Sequence, residues 1–148
     1  SEIIAFDKRY QEFKNRGIEV IGISGDNEFS HFAWKNTPVN QGGIGQVKFP
    51  LVADLTKQIA RNFDVLYAEA VALRGSFLLD ADGTVRHAVV NDLPLGRNID
   101  EMLRMVDTML FTNEHGEVCP AGWNKGDEGM KANPKGVAEY LGKNEAKL

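Results

Sequence analysis

An amphipathic run that halts on a glycine and feeds at once into a short apolar segment leaves this chain few folds to choose from. Ile3, Phe6, Tyr10 and Phe13 recur at helical spacing with charges between them, and Gly17 stops the run. Ile18 to Ile23 is mostly apolar with little alternation, the pattern of a strand buried on both faces. Helix followed by buried strand is half of a βαβ unit, so the fold class is α/β. The strand that would complete the unit is therefore expected before Ser1, and a chain that opens in mid-pattern without an initiator methionine is expected to be preceded by a further segment. Ser24-Gly25-Asp26-Asn27 then forms the loop at the carboxyl edge of the strand, where open α/β sheets place ligands.

The rest of the chain continues the alternation. A short helix is predicted from Glu28 to Asn36, with Phe29, Phe32 and Ala33 as its apolar residues. Gln41-Gly42-Gly43-Ile44-Gly45 is glycine-rich, yet no Gly-Lys-Ser/Thr follows and no long helix opens after it, so it reads as a flexible loop and not a phosphate cradle. Phe49 to Ala53 is a short strand closed by Asp54, and Thr56 to Phe63 a helix. Ala72 to Asp80 is a strong strand signal, turned into a hairpin by Ala81-Asp82-Gly83-Thr84. Thr84 to Val90 alternates with Val85, His87 and Val89 on one face, as an outer strand does. Arg86 is its only firmly charged residue, so this edge invites pairing with a second copy. Asn98, with Glu101 in the capping-box position, opens a long helix whose buried stripe is Ile99, Met102, Leu103, Val106 and Leu110. Residues 114–148 form an arm with one helical stretch near Val137 to Leu141, following a domain of residues 1–113.

Composition narrows the function. The 148 residues suffice for one domain with a core, and a formal net charge of -4 argues against nucleic acid. No apolar run is long enough to span a bilayer and no signal peptide is visible, so no membrane partner is expected. A single cysteine points to a reducing compartment, here the cytoplasm. Cysteine and histidine are too few and too scattered for zinc, and neither metal nor cofactor is expected.

The lone Cys119 lies in His115-Gly116-Glu117-Val118-Cys119-Pro120-Ala121-Gly122-Trp123, a stretch that reads as loop. It is either a thiol that reacts with a second thiol elsewhere or a free cysteine in a C-terminal arm. Arg74 follows the apolar run Ala70-Val71-Ala72-Leu73, where a guanidinium requires an anion or several acceptors. Its partner is a carboxylate such as Glu2 or Glu69, or else a thiolate or bound anion. Arg97 stands just before a helix N-terminus, against the dipole, which implies a salt bridge or a second cation in one site. His31, His87 and His115 are scattered and read as surface or packed residues.

Seven segments, in order, carry a family resemblance. They are Ser1 to Phe6, Phe32-Ala33-Trp34, Asn36-Thr37-Pro38, Gly42 to Gly45, Ala72 to Phe77, Asp92 to Arg97, and His115 to Trp123. Together they resemble a typical two-cysteine peroxiredoxin of the alkyl hydroperoxide reductase kind, lacking that family's N-terminal part. The resemblance implies a thioredoxin-like fold, a central mixed sheet flanked by helices, over residues 1–113. It implies a thiol peroxidase acting on hydrogen peroxide and organic hydroperoxides, with the peroxidatic cysteine before Ser1. Cys119 matches the resolving cysteine, Arg74 the arginine that stabilises thiolate and peroxide, and Glu2 the carboxylate that orients Arg74. Arg97 matches a supporting partner. Recycling by thioredoxin or a flavoprotein disulfide reductase is implied, as is a homodimer assembling five-fold into a decamer. Gly42 to Gly45 resembles the overoxidation-sensitive type, whereas Tyr140-Leu141 stands where sensitive members carry Tyr-Phe. Two other classes fit the residues: a ring-forming, chaperone-like holdase, and an α/β binding module using the loop after Ile23.

Overall fold

The computed structural model describes residues 1–147 and divides into two compact units, Ser1–Ile99 and the segment from Asp100 onward. The first unit opens with α1, Glu2–Asn15, whose N-cap position is Ser1. Gly17 at φ 72° ends the helix, as only a residue without Cβ adopts that conformation cheaply. Ile3, Ile4, Phe6 and Tyr10 pack on Ile44, Val47 and Phe49, together with Val20, Trp34 and Leu51. The glycine-rich loop therefore leads straight into the core. A Cβ on Gly43 would fall 1.9 Å from the Thr37 carbonyl oxygen, so this loop is tightly packed and not flexible.

The expected strand over Ile18–Ile23 is shorter and differently buried. Hydrogen bonding assigns β1 to Gly22–Ser24, paired in parallel with β2, Leu51–Ala53. Val20 faces the core, while Ile21 is 55% and Ile23 47% exposed. Only one face is covered, because Ile23 lies beside Val52 in register and both point away from α1 and its core. Between β1 and β2 lie α2, Glu28–Asn36, capped by Asn27, and a 3-10 turn, Val39–Gln41. The apolar expectation for α2 is reversed at two positions: Phe29 and Phe32 are exposed, whereas His31 is buried.

α3 spans Gln58–Asn62, shorter than the predicted Thr56 to Phe63. Lys57 in the left-handed region blocks an earlier start, and Asp54 accepts bonds from the Ile59 and Ala60 amides in its place. The predicted strand Ala72–Asp80 divides in two. β3, Leu66–Tyr67, and β4, Val71–Ala72, form a tiny hairpin with Ala68 and Glu69 at positive φ. β5, Arg74–Leu79, then pairs antiparallel with β6, Val85–Asn91, with an irregularity at Leu78/Leu79. The ladders are mixed in sense, and among the described residues no strand is hydrogen-bonded between β1 and β5.

The second unit holds most of α4, Ile99–His115, and α5, Pro134–Asn144. The buried positions of α4 are Ile99, Leu103, Val106 and Met109. Met109 continues the three-residue step from Leu103 and Val106, and takes the place expected for Leu110. α5 is longer than the stretch expected near Val137 to Leu141, because Asn133 caps it and Pro134 suits its first turn.

Candidate functional site

In the first unit three charged side chains far apart in sequence meet at one point. Glu2 is fixed by the first turn of α1, Arg74 by the start of β5, and Arg97 by the turn after β6. Glu2 Oε1 accepts the Arg97 backbone N–H at 2.7 Å and Arg97 Nε at 2.9 Å. Glu2 Oε2 accepts Arg97 Nη2 at 3.1 Å and Arg74 Nη1 at 2.5 Å. Burial by itself would raise the Glu2 carboxyl. The Arg97 hydrogen bonds and charge, with the Arg74 bond, more than reverse this and hold it at about 2.

Each arginine also donates to the main chain. Arg74 Nε bonds the Leu93 carbonyl at 2.6 Å, and Arg97 Nη1 bonds the Gly75 carbonyl at 2.7 Å. A Cβ on Gly75 would lie 2.9 Å from the Phe77 ring and 3.0 Å from Val65, so glycine is what lets the strand carry Arg74 past that packing. Among the described residues Arg74 Nη2 makes no hydrogen bond, and the side chain is 37% exposed. The cluster is thus a carboxylate that fixes one guanidinium fully and a second one partly, leaving N–H groups of the second for an anion. Of the two carboxylates weighed for Arg74, Glu2 is the partner; Glu69 pairs with Arg61 at 2.7 Å.

Cys119 belongs to the second unit and is a free, half-buried thiol. Its Sγ lies 3.8 Å from the Thr112 hydroxyl and 3.8 Å from the Thr108 carbonyl oxygen, both long contacts. The surrounding loop is ordered. Val118 and Met130 exchange backbone bonds of 2.9 Å, and Trp123 is 3% exposed. Arg104 bonds the Trp123 carbonyl at 2.7 Å and pairs with Glu101, which raises the arginine's already high pKa. Phe111 stacks on His115 and meets Trp123 at a tilt.

Two parts of this picture went unread in the sequence. The Leu93 and Gly75 carbonyls are acceptors that no side-chain pattern reveals. Asn91 lies just beyond the strand expected over Thr84 to Val90 and was given no role, although Asn-Asp-Leu-Pro is a turn signal. His31, read from the sequence as a surface or packed residue, is packed, with Nε2 at 2.6 Å from Ser24 Oγ. No group of metal-binding side chains is found among the described residues, and no helix there is long and apolar enough to cross a membrane.

Comparison with known proteins gives concordant results. Residues 1–88 match the model of the AhpC/TSA family, and residues 109–143 that of the C-terminal domain of 1-Cys peroxiredoxin. Alkyl hydroperoxide reductase C of Helicobacter pylori strain 26695 is 68% identical over 148 residues, all of this chain and 75% of that protein. Peroxiredoxin-2 of Rattus norvegicus is 48% identical over 144 residues, 97% of this chain and 73% of the relative. The reduced 2-Cys peroxiredoxin of Plasmodium vivax superposes with a TM-score of 0.94 at 45% identity, covering 95% of this chain and 73% of that one.

Proposed function

Because the chain belongs to the AhpC/TSA family of peroxiredoxins, enzymes with a thioredoxin-like fold, we propose that it reduces hydrogen peroxide and organic hydroperoxides with Arg74 as the activating cation and Cys119 as the resolving thiol. The observation that carries this reading is the half-committed guanidinium of Arg74, anchored by Glu2 and Leu93 with Nη2 unbonded among the described residues.

The chemistry follows from charge. A peroxidatic thiolate attacks one peroxide oxygen and the O–O bond breaks. The departing oxygen carries the electron pair and takes a proton to leave as water or alcohol. Arg74 stabilises the thiolate before the step and the oxyanion during it. Glu2 holds Arg74 and is itself kept ionised by Arg97. The oxidised sulfur is a sulfenic acid. Cys119 Sγ attacks it, water leaves, and a disulfide forms. Thioredoxin or a flavoprotein disulfide reductase then returns both sulfurs to thiols by exchange. On this reading the peroxidatic cysteine lies before Ser1, and a cytoplasmic location suits the cycle.

Assembly is part of the reading. The outer edge of β6 has no ladder partner among the described residues, and a two-fold copy pairing there would make a continuous sheet. We place the homodimer at that edge, with five dimers forming a decamer in the reduced protein. A relative from Plasmodium yoelii, modified at its N-terminus, is described as forming an artifactual octamer.

Rapid mixing of the protein carrying its peroxidatic cysteine with hydrogen peroxide tests the assignment. A fast second-order reaction followed by disulfide formation through Cys119 is expected. A protein that leaves peroxide intact overturns it. Light scattering at micromolar concentration tests assembly, and a monomer there refutes the β6 pairing.

A further inference from the structure

We propose that Asn91 is a positioning residue for both arginines: its side-chain amide closes the turn over residues 92–96, whose backbone sets Arg74 and Arg97 around Glu2. The inference rests on the reading of Arg74 as the activating cation and adds what holds that cation in place.

Asn91 ends β6 and is the ladder partner of Arg74, so the two residues stand at one level of the hairpin. Beyond it the chain must reverse and return Arg97 to the same level. The Asn91 amide Nδ2 donates to the Gly96 carbonyl at 3.1 Å and, at the long distance of 3.4 Å, to the Leu95 carbonyl. The turn is further drawn in by Leu95 N–H to the Asp92 carbonyl at 3.0 Å and by Leu93 N–H to Asp92 Oδ1 at 2.7 Å.

Side-chain burial does not hold this turn. Leu95 is 58% and Leu93 36% exposed, and Pro94 has no N–H to donate. Polar bonds therefore define its shape, and Asn91 is the side chain that ties its far end to the sheet. Two groups of the activating cluster depend on that shape. The Leu93 carbonyl at its near end accepts Arg74 Nε, and the Arg97 N–H just beyond it donates to Glu2 Oε1. A single amide thus fixes an acceptor for one arginine and the entry of the other.

The test reads the arginines directly. Solvent exchange of the Arg74 and Arg97 Nε–H groups is followed by 15N NMR at neutral pH in wild type, Asn91→Ala and Asn91→Gln. Loss of one such tether is expected to accelerate exchange of both groups roughly tenfold in Asn91→Ala. Asn91→Gln, which keeps a donor amide, should recover most of the protection. Should Asn91→Ala fail to fold, Asn91→Ser replaces it, since a hydroxyl so near the backbone does not reach Gly96. Unchanged exchange in Asn91→Ala or Asn91→Ser overturns the proposal, as does equal acceleration in Asn91→Gln. Peroxide reduction measured on the same variants separates the two readings. Faster exchange with a full peroxide rate leaves Asn91 as the positioning residue and removes Arg74 from the chemistry. Faster exchange with a rate reduced roughly tenfold supports both.

Discussion

The Glu2 cluster and the Cys119 loop are built on opposite plans. Glu2 gathers charge-assisted bonds of 2.5 to 3.1 Å from residues 72 and 95 positions away. The Cys119 sulfur makes its hydrogen-bond contacts with Thr108 and Thr112, on the helix just before its loop, and both are 3.8 Å long. The first arrangement fixes a charge before any substrate arrives, which is how a site stabilises a transition state. The second leaves the sulfur itself with weak contacts, although the loop that carries it is pinned by the Val118–Met130 pairing and the buried Trp123. The same chain thus holds one carboxylate by short charge-assisted bonds and leaves one sulfur weakly bonded, a contrast that suits the proposed roles of a fixed activating cation and a resolving thiol.

The largest effect that would break this comparison comes from Cys119, the proposed resolving thiol. Cys119→Ser, in the protein with its peroxidatic cysteine, should allow one turnover and then stop thioredoxin-linked recycling completely. With the disulfide proposed to join two subunits, Cys119→Ser should also remove the dimer band from a non-reducing gel of the oxidised protein, and a surviving band would move the resolving role elsewhere. Next comes the fixed group. Arg74→Met should slow peroxide reduction by roughly 10²–10³-fold with the fold intact, read by rapid mixing. An unchanged rate would make the cluster purely structural.

A smaller effect is expected in acid. The Glu2 carboxyl is held at about 2 against an ordinary value of 4.5, so its bonds stabilise the folded state fully above pH 4.5. That contribution is lost as pH falls from 4.5 toward 2. Wild type should therefore melt above Glu2→Gln by on the order of 5 °C at neutral pH, with the gap closing as the solution is acidified. Thermal melts across that range check it, and a constant gap would show that ionisation of Glu2 contributes nothing. The smallest effect is at Thr112. Thr112→Val should change the alkylation rate of Cys119 by no more than about threefold, since the contact it removes is long. A large change would mean that the thiol is held as firmly as the arginines are.

What the sequence disclosed follows the same division. Local periodicity located α1, α2, β5, β6 and α4, because each has an apolar repeat of its own. Arg74 drew notice because a cation beside Ala70-Val71-Ala72-Leu73 is out of pattern, and Glu2 was already one of two carboxylates weighed for it. The backbone half of the cluster was hidden, since the Leu93 and Gly75 carbonyls have no signature in residue type. The failure at Ile18–Ile23 has a similar cause. An apolar strand states what it can bury, and its surroundings decide what it does bury: in the described chain Ile21 and Ile23 remain open. Ala68 and Glu69 carry no turn signal either, and their left-handed backbone is imposed by the pairing of β3 with β4.

The long separations within the Glu2 cluster also bear on the order in which the molecule matures. Its contacts close loops of 72 and 95 residues, among the costliest and slowest to form in a chain of this length. Helices α1 and α2 and the β5–β6 hairpin need only local contacts and are available earlier. A chain still being made therefore lacks the complete Glu2 cluster until Arg97 has emerged and returned to Glu2. If Arg74 is the activating cation proposed above, a thiol relying on it gains full reactivity toward oxidants only once the fold around it is finished.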